Sequence, residues 1–130
     1  MGNCSCSKKD NMEKEKIVMA CSGGSNVGQI SNAVMVKLKM ENMVRPYCLA
    51  GIGADLPAFI TTSKDAETIV IDGCSVGCAK KIFIKNNISP THYFIVNEMG
   101  IEKSYDYNNI ENDTITIKEK IVLQINKKEV

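Results

Sequence analysis

Short apolar segments alternate with amphipathic segments along most of the chain. The apolar segments predict buried strands, and they lie at residues 16–20, 45–50, 68–72 and 92–96. Between and after them, apolar side chains recur at helical spacing, which predicts helices at about 25–40, 55–63, 75–87 and from 116 onward. Strands that alternate with helices in this way form a parallel sheet with right-handed crossovers.

The predicted fold class is therefore α/β. We expect a small, open, mostly parallel four-stranded sheet with helices on both faces, similar to half of a Rossmann-like or flavodoxin-like domain, with strand order 2-1-3-4. This single domain is expected to span residues 16–130. Residues 1–15 are small, polar and charged without periodicity, which predicts a flexible tail that carries Cys4 and Cys6.

Three helix starts carry capping signals. Ser25 or Asn26 can cap the first long helix, and Asp55 can cap a short helix that has Pro57 in its first turn. Residues 116–119, Thr-Ile-Lys-Glu, match a capping box and predict that the last helix begins there. The inward side of that helix is expected to consist of Ile117, Ile121, Val122 and Ile125.

Composition narrows the classes of function. The 130 residues include 16 basic and 15 acidic side chains, and this balance gives no general attraction to nucleic acid or anionic membranes. Aromatic residues make up 5%, which leaves few rings for stacking on bases. Apolar runs reach only about five residues, and no secretory signal is expected. We expect a cytoplasmic protein without nucleic-acid or membrane partners, and the excess of Lys over Arg is typical of an AT-rich bacterial genome.

Cysteine is the unusual component. Because no secretory leader is expected, we expect the thiols to be free, metal-bound or reactive, and the six are Cys4, Cys6, Cys21, Cys48, Cys74 and Cys78. Cys21 directly follows the first predicted strand, Cys48 lies near the end of the second, and Cys74 follows the third by one glycine. Cys78 is one helical turn beyond Cys74, so both thiols can share a face. Because ligands gather at the carboxyl ends of parallel strands, these four thiols are expected to converge at one edge.

Four thiolates suit tetrahedral zinc or an iron–sulfur cluster. Lys80, with Lys81 beside it, can offset their surplus negative charge, and Asp72 either braces the turn before Cys74 or orients an amide. Cys48 is either the fourth ligand or a small buried residue inside a strand. Loop residues that let backbone amides approach sulfur or shape the turns are Ser22, Gly23, Gly24, Gly73 and Gly77.

Other motifs are incomplete. Residues 23–28 have the glycine spacing of a phosphate-binding loop but lack its Lys and Ser/Thr, and residues 51–53 lack the third glycine of a dinucleotide-binding loop. Residues 21–27 resemble the cysteine loops of small tyrosine phosphatases and sugar-phosphotransferase IIB domains. A phosphatase needs an Arg where this chain has Val27, which excludes that class. The remaining interpretation is a phosphorylated cysteine of the IIB type, but that function gives no role to Cys74 and Cys78.

Three motifs in order resemble the DGC-domain family, named for the Asp-Gly-Cys found here at residues 72–74. They are Cys21-Ser-Gly-Gly-Ser-Asn-Val-Gly28, Tyr47-Cys-Leu-Ala-Gly-Ile-Gly53 and Ile71-Asp-Gly-Cys-Ser-Val-Gly-Cys-Ala-Lys-Lys81, and His92-Tyr and Gly100-Ile-Glu-Lys103 also fit. The resemblance covers about residues 16–125. It implies zinc binding, without a particular reaction, through Cys21, Cys48, Cys74 and Cys78.

The leading hypothesis is a protein that binds one metal ion, Zn²⁺, through those four cysteines, with an iron–sulfur cluster as the alternative cofactor. A second hypothesis is a thiol redox or sulfur-transfer enzyme in which Cys74 or Cys78 is the nucleophile and Cys21 the resolving thiol. A third is a delivery module in which Cys4 and Cys6 pass metal or sulfur to the main site. No catalytic residues are assigned, and the lone histidine, His92, is expected at the surface or a strand edge and not as a ligand.

Overall fold

The computed structural model describes residues 14–129. The predicted tail is residues 1–15, of which residues 1–13, with Cys4 and Cys6, lie outside the described residues. In chain order the elements are β1 (Lys16–Ala20), α1 (Asn26–Met40), β2 (Arg45–Pro46), α2 (Leu49–Gly53), α3 (Pro57–Asp65), β3 (Glu67–Asp72), α4 (Cys78–Lys85), β4 (His92–Ile95), a 3-10 helix (Val96–Met99) and α5 (Ile110–Glu129).

The four strands form one open parallel sheet in the order β2-β1-β3-β4. The central pair is β1 and β3, which are in register from Lys16–Glu67 to Ala20–Ile71. The predicted fold class and strand order are confirmed. Because all four strands point the same way, their carboxyl ends lie together at one end of the sheet, and the loops that follow the strands begin there. We call this end of the sheet the carboxyl edge.

Helices cover both faces of the sheet, as the alternation of side chains along each strand requires. On one face, Val18 and Ile71 pack with α1 and α5 in a buried cluster that includes Ile30 and Ile121. On the other face, Ile17, Met19 and Val70 pack with Ile52 of α2 and Phe83 of α4. None of the described helices is long and apolar enough to cross a membrane.

The second strand is shorter than predicted. Only Arg45 and Pro46 pair with β1, and the Tyr47 amide makes one further bond to the Val18 carbonyl at 2.9 Å. Residues 49–53 then form α2 and do not continue the strand. The helix is favoured by packing, since Gly51 lies so close to Phe59 that an added Cβ would be 2.7 Å from its ring.

Two of the three predicted helix starts are wrong. The last helix begins at Ile110, and the Thr116 hydroxyl donates to the Asn112 carbonyl at 3.3 Å inside it. Asp55 caps no helix, because it has a positive φ of 63° and its carboxylate pairs with Lys85 at 3.3 Å. Ser25 does cap α1, accepting from the Gly28 amide at 3.3 Å.

Candidate thiol site at the carboxyl edge

The structure places Cys21, Cys48, Cys74 and Cys78 in the loops and helix starts that follow β1, β2 and β3. All four thiols are free; Cys21 and Cys74 are half-buried, while Cys48 and Cys78 are exposed. Since β2, β1 and β3 are neighbours in the sheet, the four residues share the carboxyl edge. This common edge is what makes a joint role for the thiols physically reasonable.

The described side chains are not gathered into a coordination sphere. Among the side chains that the structure describes, those of residues 14–127, no three from His, Cys, Asp or Glu are grouped so that they could hold a metal ion together. The donor chemistry fits zinc, because free cysteines supply the thiolate ligands that zinc binds in structural sites. The four-cysteine ligand set therefore stays a prediction.

The Cys21 loop brings a backbone donor to its own sulfur. The Gly23 amide donates to Cys21 Sγ at 3.3 Å, and a Cβ on Gly23 would lie 3.5 Å from that sulfur. The Cys21 carbonyl accepts from the hydroxyl of Ser31, which is fully buried on α1. Of the other predicted loop residues, Ser22 and Gly24 are exposed. Cys21 is therefore tied to α1 through Ser31, with an N–H group directed at its thiol.

Cys48 occupies a different position from the one expected. It is the N-cap residue of α2 and lies outside the strand, with no side-chain capping bond. Its exposure rules out the alternative that it fills the core as a small buried residue. The N-cap position of Cys48 was not predicted, because a short apolar segment does not distinguish a strand from the first turn of a helix.

The loop between β3 and α4 carries the other two cysteines. Helix α4 begins at Cys78, and Cys74 precedes it in a turn closed by the Gly77 amide, which donates to the Cys74 carbonyl at 3.1 Å. The expectation that both thiols share a helical face is therefore wrong. Gly77 has a φ of 70°, which favours glycine, and a Cβ on Gly73 would be 2.7 Å from the Gly28 amide nitrogen.

Asp72 braces this loop. Its buried carboxylate accepts from the Ala79 amide at 2.8 Å and the Lys80 amide at 3.1 Å, at the start of α4. It also accepts from the Tyr93 hydroxyl at 2.7 Å. Burial, together with this bond to the Asp72 carboxylate, raises the pKa of Tyr93. The Lys80 ammonium lies 5.0 Å from the centre of the Tyr93 ring.

Two polar residues near the thiols were not predicted from the sequence to belong to the thiol site. Lys103, in the loop after the 3-10 helix, donates from Nζ to Cys74 Sγ at 3.5 Å. Asn26 accepts from the Ser104 amide at 2.7 Å and so ties this loop to the start of α1. Both contacts join residues far apart in sequence, and only the match of residues 100–103 to the family pattern pointed toward this loop.

His92 lies outside the thiol site. It is the first residue of β4, is only 4% exposed, and has Nε2 at 3.0 Å from Glu67 Oε2. The expectation of a strand edge is met because β4 is an edge strand, but the expectation of a surface position is wrong.

A groove of about 940 Å³, lined by residues that include Lys39, Arg45 and Thr91, lies at the opposite end of the sheet from the cysteines.

Fold and site together define a parallel α/β protein with four free thiols at the carboxyl edge of its sheet. The sequence pattern of the DGC domain matches residues 17–122, and the chain belongs to the DGC-domain family. The chain is 32% identical over 90 residues to the "Anaerobic and virulence modulator AnvM" of Pseudomonas aeruginosa, a match that covers 68% of this chain and 69% of that protein. No solved structure matches the chain.

Proposed function

We propose that the protein binds one zinc ion through Cys21, Cys48, Cys74 and Cys78. The observation that carries this proposal is the position of four free thiols on the loops of three adjacent parallel strands. Zinc in a site of four thiolates acts as a structural cross-link and keeps no open position for a substrate. A cytoplasmic location, where thiols stay reduced, is part of the proposal.

Groups that donate to sulfur support this proposal. Four thiolates around Zn²⁺ carry a net charge of about −2, so the site needs N–H donors and cations nearby. Cys21 has the Gly23 amide at 3.3 Å, and Cys74 has the Lys103 ammonium at 3.5 Å. Lys80, at the start of α4, adds a further cation to the same edge.

Zinc binding on this chain requires the loops to move, because no three of the described thiols are gathered. Cys48 and Cys78 are exposed and lie at the starts of the two short helices α2 and α4, so these two thiols are the ones expected to move. An ion that ties three loops together stabilises the folded state. The zinc-bound protein is therefore expected to unfold at a higher temperature than the metal-free protein.

Single Cys→Ser substitutions test the proposal. Replacing any one of Cys21, Cys48, Cys74 or Cys78 should lower bound zinc to well below one per chain, measured by elemental analysis after gel filtration. The double variant Cys4→Ser/Cys6→Ser is the matched control and should keep its zinc. Full zinc content in all four single variants would overturn the proposal.

A second candidate is thiol–disulfide chemistry, favoured by the exposure of Cys78 and the absence of a gathered metal site among the described residues. A thiolate of Cys74 or Cys78 attacks a disulfide of a partner protein, forms a mixed disulfide and releases one partner thiolate. The Cys21 thiolate then attacks the mixed disulfide, which leaves an intramolecular disulfide and the fully reduced partner. A relative named as an anaerobic modulator is compatible with a thiol site that responds to oxidants.

Trapping separates the two candidates. In the redox mechanism, Cys21→Ser accumulates a mixed disulfide, detected by non-reducing electrophoresis, while Cys48→Ser does not. In the zinc mechanism, all four variants lose metal alike and none accumulates a mixed disulfide under anaerobic conditions.

A further inference from the structure

The loop of residues 100–109 follows β4 and the 3-10 helix, and β4 is the outermost strand on the side of the sheet away from β2. From there the loop runs back to the thiols. Lys103 nevertheless donates to Cys74 Sγ at 3.5 Å, and the Tyr107 hydroxyl donates to the Gly24 carbonyl in the loop after Cys21. This segment therefore contacts both cysteine loops.

Asn26 fixes the segment on both sides of Lys103. Its Nδ2 donates to the Glu102 carbonyl at 2.9 Å, and its Oδ1 accepts from the Ser104 amide at 2.7 Å. Its own amide donates to the Ser104 carbonyl at 2.8 Å. Asn26 is only 6% exposed, so water competes little for these bonds. The backbone on each side of Lys103 is thus set by one buried side chain.

We propose that Lys103 is a functional residue of the thiol site and that Asn26 positions it. Lys103 places a cation beside Cys74, which draws anionic reactants to that thiol and offsets thiolate charge when metal is bound. The inference deepens the proposed function, and its metal-related part rests on zinc binding through Cys74.

Positioning is what separates this lysine from an ordinary surface lysine. An exposed lysine contributes little to an ion pair, because ordering its long side chain costs conformational entropy. Here two bonds of the Asn26 side chain already order the backbone of the neighbouring residues. With the backbone on each side of Lys103 held beside the Cys74 loop, its side chain samples a smaller volume around the sulfur than that of a lysine on an unanchored loop.

A pair of thiol reagents tests the charge effect without requiring metal. The reduced, metal-free full chain is treated at one pH and low salt with anionic 5,5′-dithiobis(2-nitrobenzoate) or neutral 4,4′-dithiodipyridine. In each reaction the thiolate attacks the reagent disulfide, forms a mixed disulfide and releases one aromatic thiol. Modification of Cys74 is followed by peptide mapping, and the ratio of the two rates cancels the fraction of thiolate.

Lys103→Met should lower the anionic-to-neutral ratio at Cys74 by about threefold, because a nearby unit charge is removed. High salt should erase the difference, and Lys103→Arg should restore most of the ratio. Lys127→Met, which removes the same charge from an exposed position on α5, should leave the ratio unchanged. A purely structural role for Lys103 predicts neither the salt dependence nor the rescue by arginine.

The positioning role of Asn26 is tested in the same assay. Asn26→Ala should lower the ratio as Lys103→Met does, and the double variant should show no further fall, since both act through one contact. If Asn26→Ala does not fold, Asn26→Ser, which is neutral and lacks the amide that donates to the Glu102 carbonyl, should lower the ratio in the same direction. Additive losses would overturn the positioning role.

The two proposals fail separately. An unchanged ratio in Lys103→Met overturns the inference about Lys103, whatever the zinc content. A changed ratio in a protein that binds no zinc removes the proposed zinc function and keeps the charge effect on Cys74. In zinc-binding protein, Lys103→Met should also weaken zinc severalfold in competition with a chromophoric chelator, and equal affinity would contradict the metal-related part.

Discussion

The hydroxyl of Tyr93 and the carboxylate of Asp72 are joined by a hydrogen bond of 2.7 Å across neighbouring strands β4 and β3. The same carboxylate receives two amides of α4, so one buried acid links an edge strand to the helix that begins with Cys78. This link fixes the loop that carries Cys74. The position of two of the four thiols therefore depends on a residue pair that contains no sulfur.

Removal of the Tyr93 hydroxyl should destabilise this loop. Tyr93→Phe leaves the buried Asp72 carboxylate with one donor fewer, and the free energy of unfolding is expected to fall by about 1–3 kcal/mol. Urea denaturation of the metal-free protein measures it. Tyr105→Phe, at a tyrosine that is 77% exposed, is the matched control and should unfold as the wild type does. Equal stability of the two variants would show that the bond contributes little.

The raised pKa of Tyr93 predicts a loss of stability at alkaline pH. Because the folded-state pKa lies above the value of about 10 in an unfolded chain, the stabilisation is complete below that pH and declines as pH rises toward the folded-state pKa. Unfolding measured from pH 9 upward should show this decline. Tyr93→Phe should flatten it, and the same slope in both proteins would argue against Tyr93 as its source.

Close packing of the two cysteine loops predicts a sharp contrast between two glycines. Gly73→Ala places a Cβ 2.7 Å from the Gly28 amide nitrogen, so the loops must separate, and stability should fall by about 1–3 kcal/mol. Gly24→Ala has no atom within 4 Å of its new Cβ and should be close to neutral. Thermal unfolding of both variants, with and without zinc, compares them. Similar losses in the two would contradict the packing described.

Replacement of Cys48 tests whether this residue is a zinc ligand or instead stabilises the metal-free fold. Because its thiol is exposed and makes no capping bond, Cys48→Ser should leave the metal-free protein as stable as the wild type. A serine at this N-cap position can even add a capping bond. In the presence of zinc, however, the variant should lose the increase in melting temperature that the wild type shows. A metal-free variant that is strongly destabilised would instead indicate a packing role.

The strand order and the cysteine-bearing edge could be predicted because they follow from local patterns. Buried strands such as residues 68–72 are short apolar runs bounded by loops, and the direction of parallel strands then assigns Cys21 and Cys74 to one edge. The cap at Ser25 was equally visible, since it depends only on residues within one turn.

Features that depend on distant packing could not be predicted. Helix α2 packs Gly51 closely against Phe59 of the next helix, and a short apolar segment alone is equally typical of a strand. Residues 116–119 match the sequence of a capping box, but they lie inside a helix that begins earlier, at Ile110. The contact of Lys103 with Cys74 joins residues 29 apart in sequence, and Asn26 bonds the neighbouring Glu102 carbonyl across 76 residues.

Elemental analysis of protein purified anaerobically without added metal, together with a count of reactive thiols, tests the central claim most directly. The account predicts one zinc per chain, with the thiols of Cys4 and Cys6 reactive and the other four protected. Iron with matching sulfide would replace zinc by an iron–sulfur cluster. Protein without metal, with all six thiols reactive or with a disulfide among them, would contradict the zinc site and favour thiol chemistry.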